Sequence, residues 1–343
     1  MTTAAPPGRW EGAGVTLDEV LARLADLRCP PDGGPPYNRT GVLTLLAHAT
    51  GAGEAAALDG VIHDLADHQP SRSVLVVEED AGRGIDAAVS LACRDAEGGQ
   101  SVAMELVRLT LRGPARAGLA SAVVPLLRVD LPTVLWWPRA PEDGHPALEA
   151  LAGLADRMVT EAGRCARPAD GLRALAPLAA RGRPAATDLA WAAITPWRQL
   201  LAQMIDPPAL AALRSASSVA AVAHPEGPAT AEALLLAGWL RDVIGAGLMV
   251  ELHGRPVDDT PLLAVELEGF AAGRRLIVER LPGRSSAAVV VVEPGGASRR
   301  RVLPLPRPAR AHLIAGELEL QRRDRPFERA LPHAVALAGG AGA

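Results

Sequence analysis

The sequence predicts an α/β region with a layered, mixed sheet, followed by an α+β region built on an antiparallel meander sheet. Three observations predict it. Between 37 and 206, short apolar runs alternate with segments whose apolar residues recur at helical spacing. Between 248 and 305, five strand-like runs follow at short spacing with turn signals between them. Pro207-Pro208 closes the last helix of the first region and marks a boundary. The 343 residues are enough for two such units, each with its own core. The chain divides as 1–36, 37–206 and 207–343.

The first part is a loose head over 1–14, a helix over 16–27 and a Pro/Gly-rich linker over 29–36. Thr16 is the helix N-cap, and Leu17, Val20, Leu21 and Leu24 share one face. The α/β region then opens with a strand over 42–47. A helix over 58–68 presents Leu58, Val61, Ile62 and Leu65, and Pro70 stops it. A compact β run covers 73–77. Residues 85–94 read as helix. The run 102–112 alternates, with Val107, Leu109 and Leu111 opposite Arg108, Thr110 and Arg112. Its parity slips between Leu106 and Val107, which predicts a bulge. A helix over 117–127 leads to a short strand over 134–137. A helix over 146–154, a strand over 157–160 and a helix over 170–179 follow. Thr195-Pro196 then opens a helix with Thr195 as N-cap and proline at N1. Trp197, Leu200, Leu201, Met204 and Ile205 give that helix a full apolar face.

The second region begins with helix and loop material. Thr230 caps a helix that runs to Ile244, with Gly245 as its stop. The five strand runs are 248–252, 262–267, 275–281, 288–293 and 300–305. Helices over 309–320 and 325–334 close the fold, and 338–343 is a loose tail.

Composition excludes several chemistries. The formal net charge is −4, spread along the chain, and gives no basis for nucleic-acid binding. No apolar run reaches membrane-span length, and the first residues lack a basic and apolar leader pattern. The expectation is a cytoplasmic protein. Every basic side chain is arginine; there is no lysine. A Walker A phosphate loop and Schiff-base chemistry both need one. Cys29, Cys93 and Cys165 are odd in number and far apart, so neither a disulfide framework nor a zinc site is expected. The histidines show no metal-binding spacing, and no G-x-S-x-G elbow exists. No acid/base pair and no cofactor are assigned.

One pattern points to a nucleotide. Gly51-Ala52-Gly53 follows a strand and opens a helix, and the next strand ends in Glu78-Glu79. This is the outline of a dinucleotide fingerprint, with Gly51 and Gly53 at the pyrophosphate and Glu78 at the ribose. Against it, His48-Ala49-Thr50 separates the expected strand from the first glycine, where a tight turn is wanted. The plain reading is a strand-to-helix loop.

The chain has six tryptophans, one tyrosine and two phenylalanines, and two of the tryptophans adjoin in Asp130-Leu131-Pro132-Thr133-Val134-Leu135-Trp136-Trp137-Pro138-Arg139. Adjacent strand residues face opposite ways. One indole enters the core, and the other is expected at or near a surface, beside Arg139. Trp191, Trp197 and Trp239 are expected in the core.

This segment, with Asp188-Leu189-Ala190-Trp191, Thr195-Pro196-Trp197-Arg198, Gly238-Trp239-Leu240, Asn38-Arg39-Thr40-Gly41 and Pro70-Ser71-Arg72, resembles the glucose-6-phosphate dehydrogenase assembly protein family, OpcA, from about 37 to 331. The resemblance implies a non-catalytic partner of glucose-6-phosphate dehydrogenase. Such a protein would promote the enzyme's assembly or act as its allosteric activator, supporting NADPH supply in the oxidative pentose phosphate pathway. Trp136, Trp137, Arg139 and Arg198 are then the candidate contacts. Thr44 stands where the family often has Asn, and Gln69 where it often has His.

Overall fold

The computed structural model describes residues 8–28, 41–66, 71–96, 100–256, 260–320 and 322–340. Cys29, Tyr37, Asn38, Arg39, Thr40, His68, Gln69 and Pro70 lie outside them, as does the Cys93 side chain.

An eight-stranded mixed sheet carries the first half. Its order is β1 (Gly8–Gly12), β4 (Gly84–Ala96), β5 (Gln100–Arg112), β3 (Arg72–Glu79), β2 (Thr44–Thr50), β6 (Thr133–Trp137), β7 (Arg157–Thr160) and β8 (Ala185–Asp188). From β5 to β8 all neighbours are parallel; β4 and β1 extend one edge antiparallel. Helices cover both faces, so central strands are apolar on both sides, as in the fully buried run 73–77 of β3. On one face lie α1 (Leu17–Leu27), α3 (Leu119–Val123), α4 (Pro146–Ala152) and α5 (Pro168–Arg181). On the other, α2 (Gly51–Ala66) packs beside a helix from the far end of the chain, α10 (Arg310–Glu319).

After β8 come α6 (Leu189–Ala193), α7 (Thr195–Met204) and α8 (Pro207–Ser215). The second sheet has the order β10 (Met249–Arg255), β9 (Val219–Pro225), β11 (Ala264–Glu268), β12 (Arg275–Arg280), β13 (Ser286–Val292), β14 (Ser298–Pro304). The last four strands form the expected antiparallel meander. The helix α9 (Ala231–Ile244) covers one sheet face and packs on α11 (Arg325–Gly340). Its ends are the expected ones, with the Thr230 hydroxyl accepting the Ala233 N–H and Gly245 at φ 120°.

Several expectations are corrected. Residues 84–96 form a strand, not a helix. Ile85, Ala87, Val89 and Leu91 face the core, and Ala88 on the other side blurred the two-residue period. The pairing of β4 with β5 is continuous, so there is no bulge at Leu106. Leu106 lies on the opposite face, against the α2 side of the sheet, where a second apolar layer receives it. Residues 8–12 of the expected loose head form β1, whose Trp10 packs on the core. The helix expected over 117–127 is shortened to α3 between two 3-10 turns. Thr195 is not a cap: Ile194 holds that position, and the Thr195 hydroxyl accepts from Arg198 at 2.8 Å. Pro207-Pro208 does not merely stop α7. It begins α8, capped by Asp206. The two short, alanine-rich strands β8 and β9 were not anticipated. Because β9 lies between β10 and β11, the first of the five expected runs joins the sheet parallel to β9 rather than in the meander.

Candidate functional site

The strand order reverses between β2 and β6. From β2 the chain leaves through α2 on one face; from β6 it leaves through α4 on the other. In a doubly wound sheet this is where a crevice opens at the carboxyl ends of the strands. Here it is filled by the protein's own side chains.

His48 of β2 is the centre, with no exposed surface. The Arg139 guanidinium donates to its Nδ1 at 2.9 Å, and its Nε2 lies 2.8 Å from Glu78 Oε2. Arginine can only donate, so Nδ1 accepts and the single ring proton sits on Nε2, donated to Glu78. Burial, with the cationic Arg139 beside it, lowers the His48 pKa despite the Glu78 contact. The ring stacks on Trp137 at 4.6 Å and 18°. His145, which caps α4, meets the same indole edge-on at 5.2 Å.

Glu78 is anchored on both oxygens, by His48 and by Arg116 Nε at 3.0 Å. The His48 bond and the Arg116 cation hold its pKa at about 2, against its burial. Glu54 occupies the start of α2. Its Oε2 accepts the Thr50 N–H at 2.7 Å, the Thr50 hydroxyl at 3.0 Å and Arg139 at 2.6 Å. Burial alone would raise the Glu54 pKa; the Thr50 N–H and Arg139 outweigh it and lower it.

The two tryptophans divide between the faces, but neither reaches a surface: both are 0% exposed. This corrects the expectation of an outward indole. The sheet is covered on both sides, so opposed directions lead to two cores. Trp137 belongs to the larger core and carries the Arg139 guanidinium over its ring at 4.6 Å. Trp136 faces the α2 and α10 layer, donates to Glu161 at 2.9 Å and lies under Arg310 at 4.8 Å. Arg310 in turn binds Glu161 at 2.6 Å.

Trp136, Trp137, Arg139, Gly51 and Glu78 are therefore brought together at one sheet end. The Arg139 side chain is 20% exposed. Arg198 belongs to a separate cluster: it stacks on Trp191 at 3.7 Å, and burial lowers its pKa to about 10. Thr44, a departure from the family pattern, is fully buried in β2, so its side chain meets only this protein. His48, Glu54, Glu161 and Arg310 were missed. A histidine inside an apolar strand was the available signal for the first; nothing local marks the others.

The glycine loop sits closer to a nucleotide fold than its sequence suggested. His48, Ala49 and Thr50 end β2, so Gly51, at φ 76°, turns directly from strand to helix. The residues nevertheless do not fit a dinucleotide. The Glu54 carboxylate takes the place of an anion at the α2 terminus, and Glu78, needed for a ribose hydroxyl, is consumed by His48 and Arg116.

The fold and this closed crevice define a doubly wound protein with an appended six-stranded sheet. Its sequence matches the glucose-6-phosphate dehydrogenase subunit N-terminal domain over residues 62–177 and the corresponding C-terminal domain over 184–331. The chain belongs to the OpcA glucose-6-phosphate dehydrogenase assembly family. A putative OxPP cycle protein OpcA from Synechocystis sp. is 26% identical over 186 residues, covering 53% of this chain and 38% of that protein. Among solved structures, an oxidoreductase domain protein from Kribbella flavida aligns with 87% of this chain and 97% of its own, at 12% identity and a TM-score of 0.39. The WlbA dehydrogenase from Chromobacterium violaceum, in complex with NADH and UDP-GlcNAcA, aligns with 90% and 97%, at 13% identity and a TM-score of 0.34.

Proposed function

We propose that this protein is a non-catalytic assembly factor or allosteric activator of glucose-6-phosphate dehydrogenase, acting in the cytoplasm to support NADPH production. The observation that carries this reading is the pair of consecutive family matches, 62–177 and 184–331, which together span most of the chain. The crevice supports it: the groups that would hold a nucleotide are engaged with one another. No helix among the described residues is long and apolar enough to cross a membrane. The proposed contact surface is the carboxyl end of the first sheet. There the accessible part of Arg139, held by His48 and Trp137, offers a planar cation to a carboxylate on the enzyme. Trp136 and Trp137 act through the packing that positions it; Arg198 is a second proposed contact.

The test is a titration of the cognate dehydrogenase with this protein. The expected result is a lower apparent KM, a higher rate or a larger assembly, with no turnover of glucose 6-phosphate and NADP by the protein alone. Unchanged kinetics and unchanged size across the titration overturn the proposal.

A further inference from the structure

The two edges of the second sheet differ in charge. On β10 the charges are mixed and matched: Glu251 meets His253 at 3.1 Å, and Arg255 meets Glu279 at 3.5 Å. On β14, Arg299, Arg300 and Arg301 stand in succession, all exposed and without an ion pair among the described residues. Their cross-strand neighbours are Val291, Val290 and Val289. The imbalance extends along the chain. From 294 to 316 there are five arginines and no acidic residue, in a protein of net charge −4. Arg280, at the end of β12, adds to it. Its guanidinium lies over Trp197 at 5.5 Å, donates to the Leu305 carbonyl at 3.0 Å and leaves a buried Nε without a partner. Burial, with the Arg307 cation beside it, lowers its pKa to about 10.

The main chain of this edge is also open. The Leu305 N–H donates to the Ser285 carbonyl at 2.9 Å, and the Glu293 N–H donates to the Ala297 carbonyl at 2.7 Å. Hydrogen-bonded positions alternate along an antiparallel pair. Odd-numbered residues of β14 therefore bond to β13, while Ser298, Arg300 and Val302 direct N–H and C=O outward, where no strand pairs with them. Arginines on an edge guard it against its own kind. Like charges reject a second β14, and the same charges select a strand that carries carboxylates. Nucleic acid would meet the guanidiniums but leave the outward main chain unpaired.

We propose that β14 is a docking edge for an extended acidic segment of the dehydrogenase, which adds to the second sheet as a further strand. This rests on the reading that the enzyme is the partner. Arg299 and Arg301 project to one sheet face and Arg300 to the other, so cations flank the added strand on both sides. Directly opposed residues have Cβ atoms about 4.5–5.5 Å apart, close enough for guanidinium–carboxylate pairs. Only 305–309 separate β14 from Arg310, which lies beside Trp136 at the carboxyl end of the first sheet. That is at most roughly 20 Å of chain, so one partner can span both surfaces.

Direct binding of the full chain to the purified cognate dehydrogenase, measured by fluorescence anisotropy at several salt concentrations, tests it. Wild-type binding should weaken as ionic strength rises. Arg299→Glu combined with Arg301→Glu should weaken it at least about tenfold and flatten the salt dependence. Val302→Pro keeps all three arginines and removes one outward N–H, which an edge strand tolerates. It should weaken binding about fivefold, the equivalent of one main-chain hydrogen bond, with the salt dependence intact. All three positions are exposed, so each variant should keep the wild-type Tm. Wild-type binding that either variant leaves unchanged overturns this inference alone. A wild-type chain that does not bind the enzyme overturns the functional reading and this inference with it. Duplex DNA that binds more tightly than the enzyme, and that the charge variant releases, overturns it in favour of a nucleic acid.

Discussion

Arg139 ties together three groups that would otherwise be in conflict: a buried neutral histidine, a carboxylate at a helix start and an indole face. Arg139→Ala removes two charge-assisted bonds and leaves His48 Nδ1 without a donor. Such bonds contribute about 1.5–3 kcal/mol each when the partner is stranded, so a clear fall in Tm is expected. The variant also removes a cation from beside His48, so the His48 pKa should rise. An NMR titration of its ring protons reads this; an unchanged His48 pKa would contradict the assigned contact. Acid should act through the same cluster. His48 has a folded pKa below its ordinary 6.5, so below that pH the unfolded chain binds a proton the native state does not, and stability falls as pH drops. Glu78, at about 2 in the fold, contributes stability that is lost between its ordinary 4.5 and 2, on the order of 3 kcal/mol. Urea melts at pH 7, 5.5, 4 and 2.5 should show both losses, that of His48 above pH 4 and most of that of Glu78 below it. Glu78→Gln should lower stability at neutral pH and flatten the acid-side slope. Of this site, the tryptophan pair, Arg139, Gly51 and Glu78 were legible in the sequence, because rare aromatics and a glycine-rich turn stand out locally. His48, Glu54 and Glu161 were not, because their roles come from strands and helices that meet only in the fold.

Elements were legible where side chains differ enough in size and polarity to expose a period. The helix ending at Gly245, the strand Arg157–Thr160 and the meander are examples. They were obscured where alanine serves both faces, as in Gly84–Ala96 and Val219–Pro225. The return of α10 to the first sheet could not be read at all, since nothing in its own pattern names the sheet it covers. The contact is specific: Arg157 of β7 binds Glu317 of α10 at 2.5 Å, and both side chains are nearly inaccessible. Arg157 also donates to the Arg322 carbonyl at 2.8 Å. Glu317→Ala would strand a buried guanidinium, which typically costs about 3–5 kcal/mol. Replacing both, as Arg157→Met with Glu317→Leu, should recover most of that loss. Chemical denaturation of the single and double variants measures the difference. A double variant as unstable as the single one would show that the pair does more than neutralise itself.

At the scale of the molecule, the two sheets share their interior. One continuous apolar cluster runs from Leu46, Val107 and Trp137 of the first sheet, through Leu172 of α5 and Leu234 of α9, to Val265 and Val289 of the second. In addition, α11 packs on both α5 and α9, while α10 lies across the chain on α2. The family boundary at 184 falls before β8, so even the first sheet takes its last strand from the second matched segment. A chain cut after Asp206 would lose α10 and expose Ala55, Leu58, Ile62, Leu65 and Trp136, the layer α10 now covers. It would also lose Glu317 and Arg310, leaving the buried Arg157 without its carboxylate and Glu161 without its closest cation. The expected outcome is that neither half folds alone and that the intact protein unfolds in one step. Calorimetry tests this through the ratio of calorimetric to van't Hoff enthalpy, which should be near one for each cooperative unit. Two resolved transitions, with Glu317→Ala shifting only one of them, would show that the sheets are energetically separate despite their common interior.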